Sequence, residues 1–150
     1  MSTILLANKG LIVDPKSLHY ACNLSQEIKA DLSILEIISQ PQTGLQKLKQ
    51  NLKKIRIFLE NSMVNITYAE QLEVEHYKKI IQQELKGIQA TGINPNIYIQ
   101  RGDIVTVLKN FVQKHQDIVM AIIPSYNFNL NKHILAQLKI VIGIPLIVVK

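Results

Sequence analysis

Short, unbroken apolar runs alternate along this chain with longer segments whose apolar residues recur every three or four positions. Thr3-Ile-Leu-Leu-Ala7, Leu32–Ile38, Asn96–Gln100, Ile118–Ile123 and Pro145–Val149 read as five main strands. They are continuously apolar and do not alternate polar with apolar, so both faces of their sheet must be covered. Strands of that kind separated by helices imply a parallel sheet with right-handed crossovers. The expected fold is α/β, a doubly wound five-stranded parallel sheet flanked by helices on both faces, Rossmann-like.

The segments between the runs carry helical signals. Asn8-Lys9-Gly10 ends the first strand, and Asp14-Pro15 supplies a cap and first-turn proline. Leu18, Ala21, Cys22, Ser25 and Ile28 then share one helix face. Leu45, Leu48, Leu52, Ile55 and Leu59 stripe a second helix, and Tyr77, Ile81, Leu85 and Ile88 a third. Between those two, Val64-Asn-Ile-Thr-Tyr68 alternates like a short strand. Gly102 is a turn and Asp103 an N-cap, leading a helix with Ile104, Val107, Leu108, Phe111 and Val112 inward. A last helix carries Leu130, Ile134, Leu138 and Val141, and Gly143 ends it. Pro124 stops the fourth strand.

Composition bounds what such a chain does. At 150 residues it makes a single domain, 1–150, and 47% hydrophobic against 19% charged residues excludes disorder. With 5% aromatic residues and no Trp, a stacking platform for single-stranded nucleic acid is not expected. A single cysteine, Cys22, excludes a disulfide framework and a Cys-based zinc site. The longest apolar runs, Ile118–Pro124 and Ile140–Val149, fall far short of the ~20 residues that cross a bilayer. Ser2–Ala7 has no basic segment before it, unlike a signal peptide. A cytoplasmic domain with no membrane association is expected. The net charge of +6 draws partly on Lys47, Lys49, Lys53, Lys54 and Arg56, on one predicted helix. That cluster suits either a nucleic-acid surface or a solvated face, and the solvated face is the simpler reading.

Chemistry is sparse. There is no G-x-G-x-x-G and no G-x-x-x-x-G-K-[ST], and the glycines are scattered at 10, 44, 87, 92, 102 and 143. The turn at Pro124–Asn131 has none, which argues against a triphosphate cradle. His19, His76, His115 and His133 fall on four different predicted helices. His115 suits a charge–dipole role at a helix C-terminus, and Glu73 and Glu75 suit a helix entrance. Cys22 reads as a small core hydrophobe. Asp103 lies at a strand end but capping explains it. No catalytic residue and no metal ligand set is identified, and no enzyme is expected.

Several motifs in register resemble the universal stress protein family. Thr3-Ile-Leu-Leu-Ala7, a polar turn and a helix with Ala21-Cys22 and Leu24 are similar to its opening. Asp31-Leu-Ser-Ile-Leu-Glu-Ile37 resembles its second strand. Gln100-Arg-Gly-Asp-Ile104, a helix ending at His115, and Asp117-Ile-Val-Met120 match its Gly-Asp turn, amphipathic helix and Asp-Leu-Ile-Val strand in order and spacing. Ile144-Pro-Leu-Ile-Val-Val-Lys150 resembles its closing strand. The likeness spans nearly the whole chain, loosely between Pro41 and Gly92. It implies an adenine nucleotide alpha hydrolase-like sheet in strand order 3-2-1-4-5, with ligands at the carboxyl ends of the first and fourth strands.

ATP-binding members of that family carry an acid after the first strand, and G-x-x-G then G-[ST] after the fourth. Here Asn8 stands at the acid's place, Ile122 and Ser125 at the paired glycines, and Lys132–Ala136 holds no glycine. Ile37 and Gly102 match positions near the adenine and ribose. The resemblance therefore implies the UspA-type branch: a non-enzymatic stress-adaptation protein, usually a homodimer, with no cofactor and no tight ATP binding. The alternatives are an ATP or AMP sensor using Asn8, Lys9 and Ser125, and a nucleic-acid-associated protein using Lys47–Arg56. The final strand is an edge in that order, so Leu146, Ile147, Val148 and Val149 are expected at a dimer interface.

Overall fold

Parallel ladders join five strands side by side in the order third, second, first, fourth and fifth along the chain, as expected. The computed structural model describes residues 1–38, 68–87, 92–125, 128 and 130–150. The helix over Leu45–Leu59, its basic cluster Lys47–Arg56 and residue Ile88 lie outside the described residues.

β1 spans Thr3–Lys9. Asn8 and Lys9 belong to this strand and do not form a turn, because its ladder to β2 (Asp31–Ile38) runs on through Asn8↔Glu36 and Lys9↔Ile37. The chain turns just beyond, at Gly10 (φ +80°) and Leu11 (φ +56°). Asp14 caps α1 (Pro15–Ile28), accepting the Ser17 amide at 3.3 Å, with Pro15 in the first turn. Leu18, Ala21, Cys22 and Ser25 face the sheet, but Ile28 is 45% exposed. At roughly 100° per residue Ile28 sits on the margin of that stripe, in the helix's last turn.

α2 runs over Tyr68–Gly87, with Tyr77, Ile81 and Leu85 buried. Tyr68 is therefore helical and does not end a strand; residues 64–67 lie outside the described residues. Glu73 and Glu75 fall in the second turn, beyond the reach of a helix-entrance role. β3 (Asn96–Arg101) leads through Gly102 to α3 (Ile104–Lys114), where Asp103 accepts the Thr106 amide at 3.0 Å. β4 (Ile118–Pro124) ends at the proline. α4 (Lys132–Ile142) starts later than its apolar stripe suggests, because Asn131 accepts the Ile134 amide at 2.8 Å and leaves Leu130 outside. Gly143, at φ +68°, ends that helix before β5 (Leu146–Val149).

Side-chain alternation sorts the core into two layers. Leu5, Ala7, Leu35, Ile37, Ala121 and Ile123 pack under α3 and α4. Ile4, Leu6, Leu32, Ile34 and Ile122 pack under α1 and α2. Helices leave β1 toward β2 on one face and β4 toward β5 on the other, so the ladder between β1 and β4 is where the winding reverses. That is where a doubly wound sheet opens a crevice beyond its strand ends.

Candidate functional site

The carboxyl edge of the sheet gathers Asn8 and Lys9 at the end of β1, Ile37 in β2, Gly102 after β3 and Ser125 after β4. The strands bring these predicted residues to one edge but divide them between two faces. Asn8 faces α1 and α2, in step with Ile4 and Leu6, whereas Ile37 packs under α3. Gly102 adopts φ +146° and donates its amide to Ile38 at 3.0 Å, a turn that suits glycine. The Ser125 amide is committed to the Val149 carbonyl at 2.9 Å.

Ile122 is fully buried, between Leu6 of β1 and Ile147 of β5, with its side chain in the core beneath α1. The backbone at this point is thus covered by a branched side chain.

Asn8 is 3% exposed, and its Nδ2 donates to the Tyr77 hydroxyl of α2 at 2.9 Å. Tyr77 also interacts with the carboxyl of Glu36, the residue across the ladder from Asn8. Glu36 is 0% exposed, and its Oε1 accepts the amide of Leu11 in the β1–α1 turn. Burial pushes the Glu36 carboxyl up to about 7, against the opposing pull of the Tyr77 hydroxyl and the Leu11 amide. Burial, followed by the adjacent Glu36, also raises the Tyr77 hydroxyl. Two acceptors of this cluster, Asn8 Oδ1 and Glu36 Oε2, are buried without a donor.

Neither Glu36 nor Tyr77 was singled out from the sequence, although a signal existed. An acid inside a run buried on both faces needs either a partner or a proton.

The remaining candidates have structural employment. Burial raises the Cys22 thiol to about 11, which suits a core residue. His115 takes the helix-end place expected of it, yet its ring stacks on Phe111 at 4.0 Å and its Nδ1 meets the Phe111 carbonyl at 2.9 Å. The Thr106 amide holds the Asp103 carboxyl below its ordinary range, as befits a cap. Among the described residues no group of three or more His, Cys, Asp or Glu could hold a metal ion. Among them, too, no helix is long and apolar enough to cross a membrane.

Among the described residues β5 is a sheet edge, paired with β4 alone. Its four residues are all half-buried; Leu146 leans on the α3/α4 layer, and Ile147 and Val149 on the α1/α2 layer.

No protein-family model matches the chain, and no curated protein does. Solved structures do match it in fold over nearly its full length. The universal stress protein UspA from Lactobacillus plantarum aligns with a TM-score of 0.64 at 16% identity, covering 99% of this chain and 97% of the other. A universal stress protein in complex with cAMP aligns at 0.61 and 11% identity, covering 99% and 97%. The universal stress protein from Archaeoglobus fulgidus in complex with dAMP aligns at 0.58 and 10%, covering 100% and 98%. The chain has the universal stress protein fold.

Proposed function

We propose that this chain is a universal stress protein of the UspA-type branch, serving stress adaptation in the cytoplasm through protein–protein contact, without catalysis or tight ATP binding. Ile122 carries this reading. Its side chain is sunk in the core between Leu6 and Ile147, at the position where the nucleotide-binding pattern puts a glycine. A phosphate group needs close backbone approach there, and a branched side chain at that point works against it. Calorimetric titration with Mg-ATP tests it: no heat of binding is expected, and micromolar affinity or better would refute it.

The same reading includes a homodimer through β5. An apolar edge strand leaves backbone donors and acceptors unpaired, and antiparallel pairing with a second copy satisfies them about a two-fold axis. Leu146 with Val148, or Ile147 with Val149, would then meet the partner. Sedimentation of the unmodified chain should give a dimer and Val148→Lys a monomer. A clean monomer at tens of micromolar for the unmodified chain would refute the interface.

A second reading, an adenine-nucleotide sensor, draws on the cAMP and dAMP complexes of proteins with this fold. Against it, the Asn8 amide is already spent on Tyr77 and the Ser125 amide on Val149. Mass spectrometry of the protein under native conditions separates the two, since a sensor would retain nucleotide.

A further inference from the structure

Asn8 and Glu36 stand side by side on β1 and β2, on the same face of the sheet, and both reach the hydroxyl of Tyr77. Their hydrogen bonds do not balance. Asn8 Nδ2 donates to Tyr77, and Leu11 donates to Glu36 Oε1, yet Asn8 Oδ1 and Glu36 Oε2 each lack a donor. A buried acceptor left unpaired is costly, and the one proton of the Tyr77 hydroxyl, which lies against the Glu36 carboxyl, cannot serve both orphan atoms. With Asn8 3% and Glu36 0% exposed, the smallest donor that can pair them is a proton.

We propose that Glu36 is a buried proton-binding site, whose neutral carboxyl donates from Oε2 to Asn8 Oδ1 and whose deprotonation loosens the β1–α1 turn. One proton taken from solvent turns Oε2 from acceptor to donor and pairs both orphan atoms at once. When that proton returns to solvent, a carboxylate is left facing the Asn8 carbonyl oxygen in an apolar enclosure. Unless the Asn8 amide turns over, it is relieved by movement of Glu36 or entry of water.

Either response pulls on Leu11, whose amide is tied to Oε1. Leu11 at φ +56°, following Gly10 at φ +80°, occupies a left-handed conformation that a leucine adopts at some expense. Released from Glu36, the turn has reason to relax.

No charged group moves the Glu36 carboxyl, although Arg101, two residues past Ile99 on β3, shares its side of the sheet and is engaged in an interaction of its own. α2 presents the Tyr77 hydroxyl, and β3 places Ile99 opposite Glu36. From α1 the same side of the sheet receives Leu18, Ala21 and Cys22, the last a thiol that burial keeps protonated. Lys9, next along β1, alternates to the other face. Burial of Glu36 in this setting raises its carboxyl toward neutrality, in keeping with the hydrogen-bond balance.

The test is a titration of the full chain from pH 4.5 to 9, following the Glu36 carboxyl carbon and the Gly10 and Leu11 amides by NMR. The expected Glu36 midpoint is about 7 against an ordinary 4.5, roughly a 300-fold weaker acid. The two amides should follow the same midpoint, with the Leu11 amide exchanging faster above it. In Glu36→Gln the side-chain amide replaces the acid proton, so the Leu11 signal should become independent of pH. A Glu36 midpoint of 4–5 would overturn the proposal, since it would mean that the buried carboxyl is ionised and stabilised by other donors, such as the Tyr77 hydroxyl or an Asn8 amide turned over onto it. A midpoint near 7 that the Leu11 amide ignores would overturn the coupling to the turn.

Discussion

Replacing Glu36 by Gln should raise stability at alkaline pH and remove part of the chain's pH dependence. The folded carboxyl holds its proton up to about pH 7, whereas the unfolded one releases it near 4.5. Between those values the native state binds a proton that the unfolded state has lost, so stability falls as pH rises. The Glu36 contribution is thus fully present below pH 4.5 and gone once pH has passed through about 7. At about 1.4 kcal/mol per pH unit, that interval is worth about 3 kcal/mol. Gln carries no such proton yet offers an acceptor to Leu11 and a donor to Asn8. Asp103 and Asp117, both held below their ordinary range, titrate with the opposite sign in both proteins and cancel in the difference. Urea unfolding at intervals from pH 4.5 to 8.5 measures it, taking midpoints and slopes together. The variant's stability relative to wild type should climb by about 3 kcal/mol over that range. Parallel curves, or a variant that loses ground as pH rises, would refute the burial of an uncompensated Glu36.

Two further changes follow from the geometry. Gly102→Ala puts a Cβ 3.0 Å from Val107 Cγ2 at a backbone φ of +146°, so it should destabilise the fold by about 1–3 kcal/mol in urea unfolding. No measurable loss would mean that this turn is not held in that conformation. Cys22, buried and with its thiol raised to about 11, should react with an aromatic disulfide at pH 8 only as fast as the α1 region opens, and much faster in denaturant. Complete labelling within the mixing time would contradict its place in the core.

The parts of the fold that were legible in the sequence are those where one physical requirement dominates. β1, β2 and β4 are buried on both faces over most of their length, so their runs show as largely apolar stretches. α1 and α3 announce themselves by a cap and a stripe, through Asp14-Pro15 and Asp103. The misplaced boundaries share a different cause. Asn8 and Lys9 read as a turn because they are polar, but the ladder to Glu36 and Ile37 holds their backbone extended. At α4, Leu130 continues the stripe, but Asn131 takes the cap and starts the helix after it.

The candidate site was legible as a location and not as a chemistry. Strand ends and the reversal between β1 and β4 follow from the order of elements, so Asn8, Gly102 and Ser125 could be assigned to the sheet's carboxyl edge, where the structure places them. The cluster at that edge depends on a contact between β1, β2 and α2 that no local pattern encodes. Tyr77 counts in its helix as one more member of an apolar stripe, and Glu36 as one polar residue in an apolar strand. Only the register that sets Glu36 against Asn8, together with the docking of α2, reveals that the three polar groups meet. That arrangement bears on the proposed function. On the α1/α2 side of the sheet's carboxyl end, Tyr77, Glu36 and Asn8 spend their polar groups mainly on one another and on the β1–α1 turn, while Ile122 fills the neighbouring strand's end with hydrocarbon. A nucleotide would have to displace those bonds or that side chain to settle there. A proton needs to displace nothing, and one hydrogen bond through it would pair the two acceptors that the cluster leaves open.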